Sequence, residues 1–178
     1  VLGPEQIAGR LRDVLPLLAA GPRTAAARHR TLRATIDWSY DLLTEQERIL
    51  FERLAVFEGA FTLEAAEEVC ADEHVVADQV LDLLASLVDK SLVDLEDYGS
   101  VVRYRLLEPI RQYGVERMRE RGCEPELRHR HARHYRDAAT RAEPHLSVLD
   151  RHWIARIAAD DANLRSALAF SFGPAGDA

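Results

Sequence analysis

Cysteine, glycine, proline and long apolar runs are all scarce here: the 178 residues include two Cys, nine Gly and seven Pro. Cys70 and Cys123 stand far apart with no metal-ligand spacing between them. They read as reduced thiols, which points to a cytoplasmic chain. Disulfide scaffolds and collagen-like chains are excluded. No stretch approaches the ~18 consecutive apolar residues of a membrane span, and no basic start followed by an apolar run suggests a signal peptide. Positive charge is also short, with 23 Lys and Arg against 30 Asp and Glu, a formal net charge of -7. That balance argues against a chain devoted to nucleic acid. What is present is globular: 47% hydrophobic and 30% charged residues, enough to bury roughly two thirds of the unfolded surface without a staple. The first residue is Val1, so the expectation is a piece of a longer protein.

Helical periodicity dominates. Residues 4–20 carry Ile7, Leu11 and Val14 on one face, and Gly21-Pro22 interrupts them. A basic stretch follows, with Arg23, Arg28, Arg30 and Arg33 and no acid. Thr31 is the expected N-cap of the next helix, with Leu32, Ile36, Tyr40 and Leu43 at helical spacing. Thr44 with Glu47 makes a capping box for another helix, whose apolar face holds Ile49, Leu50, Leu54 and Phe57. Gly59 stops it, and Thr62 starts a third helix with Leu63, Ala66 and Val69 inward. A fourth covers about residues 75–89, with Val76, Val80, Leu83, Leu84 and Leu87 as its stripe.

The period then changes to two. Residues 91–95 and 101–107 read as strands joined by the turn Asp97-Tyr98-Gly99-Ser100. Val102, Tyr104 and Leu106 alternate with Arg103 and Arg105, which predicts one buried and one wet face. A helix restarts after Glu108, with Pro109 at its first helical position, and ends near Gly122. The expected fold is mainly α: a winged-helix domain over 31–121 with one β-hairpin, then TPR-like antiparallel helices over 124–178. The first of these would present Leu127, His131, Tyr135 and Ala138, and the second Trp153, Ile157, Leu164 and Leu168, with Pro144 between them. Trp38, Tyr40, Leu54, Phe57, Leu84 and Leu87 are the expected core of the winged helix.

Few residues offer chemistry. In a winged helix the helix before the hairpin enters the major groove. Here it holds Asp78, Asp82 and Asp89, with no base before Lys90. Carboxylates facing phosphates cost affinity. Arg28, Arg30, Arg33, Arg103 and Arg105 are the candidate phosphate or DNA contacts. A docking surface for protein is the favoured use of the domain. His129, His131, His134, His145 and His152 invite a metal site, but Arg128, Arg130, Arg133 and Arg136 alternate with the first of them and would repel a cation. Asp37, Asp160 and Asp161 are scattered and form no acid/base pair with a nucleophile. No catalytic residue and no metal ligand is assigned.

The run Thr35-Ile36-Asp37-Trp38-Ser39-Tyr40-Asp41-Leu42-Leu43 resembles the start of the winged-helix domain of NB-ARC proteins, signal-transducing NTPases of the STAND class. Leu54-Ala55-Val56-Phe57, Ser86-Leu87-Val88-Asp89-Lys90-Ser91-Leu92-Val93 and the segment 104–113 resemble later blocks of that domain, in the same order and spacing. The wording is most similar to actinobacterial regulators of the AfsR and LuxR-like type. His131-Ala132-Arg133-His134-Tyr135 and the segment 161–168 resemble the first helical repeats that follow in those proteins. The resemblance implies a regulatory, non-catalytic portion of an ATP/ADP-switched transcriptional regulator; a winged-helix DNA-binding module and a stand-alone protein-interaction scaffold are the alternatives. Residues 1–30 would be the tail of a helical lid plus a basic linker, and ATP/ADP with Mg²⁺ would belong to a nucleotide-binding core outside this chain. Within the chain no G-x-x-x-x-G-K-[ST] loop occurs. The resemblance implies partners too: the protein's own core and effector domain, and a protein or small-molecule inducer at the repeats. It also places a nucleotide sensor at Leu107, Glu108 and Arg111. Many relatives carry a histidine where Leu107 stands, and leucine cannot donate a hydrogen bond.

Overall fold

The computed structural model describes the backbone of residues 22–97 and 101–173, and side chains over that range apart from residues 22–30, 97, 146 and 147. The expected lid tail and the tip of the expected turn lie outside the described residues. Two compact units divide at Asp41 and Leu42.

The first unit contributes α1 (Pro22–Asp41). Thr31 therefore sits inside a helix and does not cap one, and the expected boundary at residue 31 falls within α1. Its start at Pro22 suits proline, whose fixed φ and missing N–H cost nothing in a first turn. Trp38, expected in the core, is 66% exposed. Helical geometry explains this correction: Trp38 lies two residues, about 200°, from both Ile36 and Tyr40. Tyr40 is half-buried.

The second unit runs α2 (Glu45–Leu54), α3 (Leu63–Cys70), α4 (Ala77–Asp89), β1 (Asp94–Asp97), β2 (Val102–Arg105), α5 (Glu108–Arg121), α6 (Glu124–Ser147), α7 (Arg151–Ala159) and α8 (Asp161–Ser171). Thr44 and Glu47 form the reciprocal capping box of α2. Thr62 accepts from the Ala65 N–H to cap α3. Gly122, at φ 78°, closes α5 in the left-handed region that glycine tolerates.

The core of the three-helix part is Leu50, Phe51, Leu54, Phe57, Phe61, Val69, Leu84 and Leu87, all buried. Helix α5 closes it from one side. A Cβ on Gly114 would stand 2.8 Å from the Ala55 Cβ, so only glycine allows α5 this approach to the end of α2.

Strands β1 and β2 pair antiparallel with Leu95 opposite Tyr104. Phe61 adds a third rung, exchanging backbone hydrogen bonds of 2.9 and 2.8 Å with Tyr104. The predicted alternation of β2 holds at Tyr104, Arg105 and Leu106 and fails before them: Arg103 is buried and Val102 is exposed.

The last region holds three helices rather than two. Pro144 lies inside α6, and the expected second helix breaks at Asp160. Leu127, His131, Tyr135 and Ala138 are buried along α6 as expected, whereas Leu168 is exposed. No helix among the described residues is long and apolar enough to cross a membrane.

Candidate functional site

Helix α4 presents two opposite faces. Val80, Leu84 and Leu87 are buried, while Asp78, Leu81, Asp82, Ala85 and Asp89 are exposed at spacings of three and four. The outward stripe thus carries three carboxylates and no cation. The first base after it, Lys90, turns inward: its Nζ donates to the Glu47 carboxylate, as does the Ser86 hydroxyl. Burial alone would raise the Glu47 carboxyl, but these donors and Thr44 outweigh it and hold it down to about 2.

Arg103 of the wing is 3% exposed. Its Nη1 donates to Asp160 Oδ1 at 2.6 Å and to the Ala60 and Ala159 carbonyls at 3.4 Å. That removes it from the candidate DNA contacts, since a guanidinium sealed under the α7–α8 junction meets no phosphate. Arg105 is exposed and pairs with Glu96 at 2.8 Å. Arg33 is exposed on α1. The side chains of Arg28 and Arg30 lie outside the described residues.

Beside Arg103 runs a polar seam that the sequence did not announce. Asn163 is fully buried. Its Oδ1 accepts from the Glu58 and Gly59 N–H groups at 2.9 and 3.4 Å, and its Nδ2 donates to the Ala60 carbonyl at 3.0 Å. A Cβ on Gly59 would come to 3.1 Å from the Ala162 Cβ, so this glycine admits α8; it does not stop α2, which ends five residues earlier at Leu54. His131 stands 3.4 Å from Asn163 Oδ1 and 5.4 Å from the Phe57 ring centroid. Burial lowers it to about 4, with further lowering from His134 and Arg128 against the raising effect of its hydrogen bond to Asn163 Oδ1. His131 is therefore neutral at physiological pH. The signal that could have marked the seam was an Asp and an Asn three residues apart at the start of an otherwise apolar helical face.

The remaining histidines separate. His134 pairs with Glu68 at 2.5 Å, His129 meets Phe170 edge-on at 4.9 Å, and His145 stacks on Trp153 at 4.6 Å. Among the described residues no three His, Cys, Asp or Glu side chains gather into a metal-sized cluster.

Leu107, Glu108 and Arg111 do come together, at the exposed start of α5. Leu107 is its N-cap residue and offers no side-chain hydrogen bond. Arg111 grips Glu108 with two bonds, of 2.8 and 3.0 Å. This grip, the largest influence on it, holds the Glu108 carboxyl below its usual range.

Three helices, a hairpin and a bridging third rung match what comparison with known families returns, a winged helix-turn-helix domain over residues 43–119. The chain carries a winged helix-turn-helix domain. It is homologous over nearly all its length to bacterial proteins described as regulators. A Mycobacterium tuberculosis (strain H37Rv) protein described as a "putative HTH-type transcriptional regulator" is 43% identical over 170 residues, 96% of this chain and 19% of that protein. A Mycobacterium bovis counterpart gives the same figures. An uncharacterized Mycobacterium tuberculosis protein is 42% identical over 122 residues, 68% of this chain and 31% of its own length. The chain thus spans about a fifth of the length of the regulators it matches. No solved structure matches it.

Proposed function

We propose that this winged helix serves as a protein-docking and coupling element, and that the chain is a regulatory, non-catalytic portion of an ATP/ADP-switched cytoplasmic transcriptional regulator of the STAND type. The observation that carries this reading is the outward stripe of α4, with Asp78, Asp82 and Asp89 where a DNA reader places cations. Arg103, the wing residue best suited to a phosphate, is spent on Asp160 inside the molecule. The same bond, with Asn163, fastens α7 and α8 to the winged helix. A change in one part is therefore felt by the other.

In this reading the acidic stripe meets a basic surface of the same regulator. Two docked arrangements differ by a few kcal/mol, and nucleotide held elsewhere biases them. ATP/ADP, Mg²⁺, the effector domain and an inducer at the helical region belong to the proposal through the resemblance. The rival reading is DNA binding, which the winged helix-turn-helix match supports.

Fluorescence anisotropy of a mixed-sequence duplex, titrated with this chain at about 50 and 200 mM salt, separates the two. The expected result is no binding by the winged helix at either salt. Micromolar binding that collapses at the higher salt and is lost with Arg105→Ala would replace the docking reading with DNA recognition.

A further inference from the structure

The Arg- and His-rich run of α6 packs Arg130, His131 and His134 against the winged helix and turns other side chains to a cleft. A cleft of about 400 Å³ opens between α6 and α8. His129, Arg130, Arg133 and Arg136 line one wall, Phe170 lies across from them, and Glu126 stands at the edge. On a chain of net charge -7, three guanidinium groups and an imidazole beside a single carboxylate form a local reversal of sign.

The three arginines differ in what they already hold. Arg130 Nη2 donates to the Glu68 and Ala71 carbonyls, which fixes its position at the end of α3. Arg136 leans on its neighbour Asp137 at 3.0 Å, a pair exposed to water and hence weak. Arg133 is exposed, and the structure gives it no hydrogen bond or ion pair among the described residues. Phe170, held edge-on by His129 at 4.9 Å, supplies an apolar floor.

We propose that this cleft binds a small phosphorylated molecule. Planar guanidinium forks suit the oxygens of a phosphate group, and they do so in pairs. The volume falls in the range of small-ligand clefts, whereas a duplex needs an open track of cations along its backbone. The nearest countervailing force is the C-terminal end of α8, whose dipole favours cations on its own account. Its last carbonyls accept from Phe172 N, Gly173 N and Ser171 Oγ, and none of the arginines is bonded to them.

Isothermal titration of the chain with inorganic pyrophosphate at about 50 mM salt tests the assignment. The expected result is saturable one-to-one binding, weakened about tenfold or more by Arg133→Ala. Arg151→Ala, which removes an equal charge from the exposed start of α7, leaves the affinity unchanged. No heat overturns the proposal, and so does an equal loss in both variants, which would report net charge alone. A lowered thermal midpoint in Arg133→Ala with no pyrophosphate binding by the parent chain would assign the arginines to the α8 dipole instead. A duplex that displaces pyrophosphate and depends on Arg133 would overturn the small-molecule assignment in favour of nucleic-acid backbone.

Discussion

Arg103 and Tyr135 show how little a residue's type says about its duty until its partners are known. Strand alternation placed Arg103 outward with Arg105, and only Arg105 is there. The α7–α8 junction covers the second face of β2, so both faces of that strand are buried at its centre. Charge then has to be matched inside, and Asp160 matches it. Tyr135 is the opposite case. It lies among Phe57, His131 and His134, and burial pushes its phenol far above the ordinary range. Its hydroxyl is buried and has no hydrogen-bond partner among the described residues. An orphaned buried hydroxyl costs about 1–3 kcal/mol of desolvation. Tyr135→Phe keeps the ring and removes the orphan, so it should leave stability unchanged or raise it by about 1 kcal/mol. Urea unfolding of the two proteins measures this. A loss above about 1 kcal/mol would mean that the hydroxyl has a partner in solution, such as a trapped water.

At the scale of elements, Trp38 and Leu84 separate what could be read from the sequence and what could not. Leu84 lies in a stripe repeated every three or four residues, and such a stripe has one physical explanation, a buried helix face. It is fully buried. Trp38, expected in the core, falls off the stripe of its own helix and is exposed. Leu84→Ala should therefore cost about 2–5 kcal/mol through the cavity it leaves, while Trp38→Ala should change the thermal midpoint by the equivalent of about 0.5 kcal/mol or less. Equal losses in the two variants would refute this division of roles. Local signals were legible in the same way. The Thr44–Glu47 box, the Thr62 cap and the Gly122 stop each act within one turn, and each stands where the sequence put it. The start of α1 and the break at Asp160 were not legible. Pro22 can open a helix as well as end one, and Asp160 is drawn to its place by Arg103, 57 residues away in sequence. The site was legible in its negative part, the acidic stripe of α4. The Arg103–Asp160–Asn163 seam was not, because each of its bonds joins residues far apart in the chain.

Across the whole second unit, the seam ties stability to pH through a group that must stay neutral. His131 sits at about 4 in the folded protein against an ordinary 6.5, chiefly because burial penalises its charged form. Below about 6.5 the unfolded chain binds a proton that the folded chain refuses. Stability from His131 is thus full above pH 6.5, falls as the pH drops toward 4, and loses nothing further below that. The carboxylates act in a lower window. Glu47, at about 2 against 4.5, favours the folded state above pH 4.5 and gives that up as the pH falls toward 2. Asp72, held down first by its hydrogen bond from Arg53, acts in the same direction. The two windows barely overlap, so a single substitution can tell them apart. His131→Gln retains a polar side chain beside Asn163 but does not titrate. Between pH 7 and 4.5 the parent chain should lose up to about 3 kcal/mol of unfolding free energy through His131. The variant should show a nearly flat profile over that interval, and below pH 4.5 the two curves should run parallel as Glu47 and Asp72 take protons. Urea midpoints measured across this range decide the matter. An equally steep loss above pH 4.5 in His131→Gln would place the acid-sensitive group elsewhere in the unit. The unit would then owe its pH response to groups outside the seam that joins the winged helix to the helices behind it.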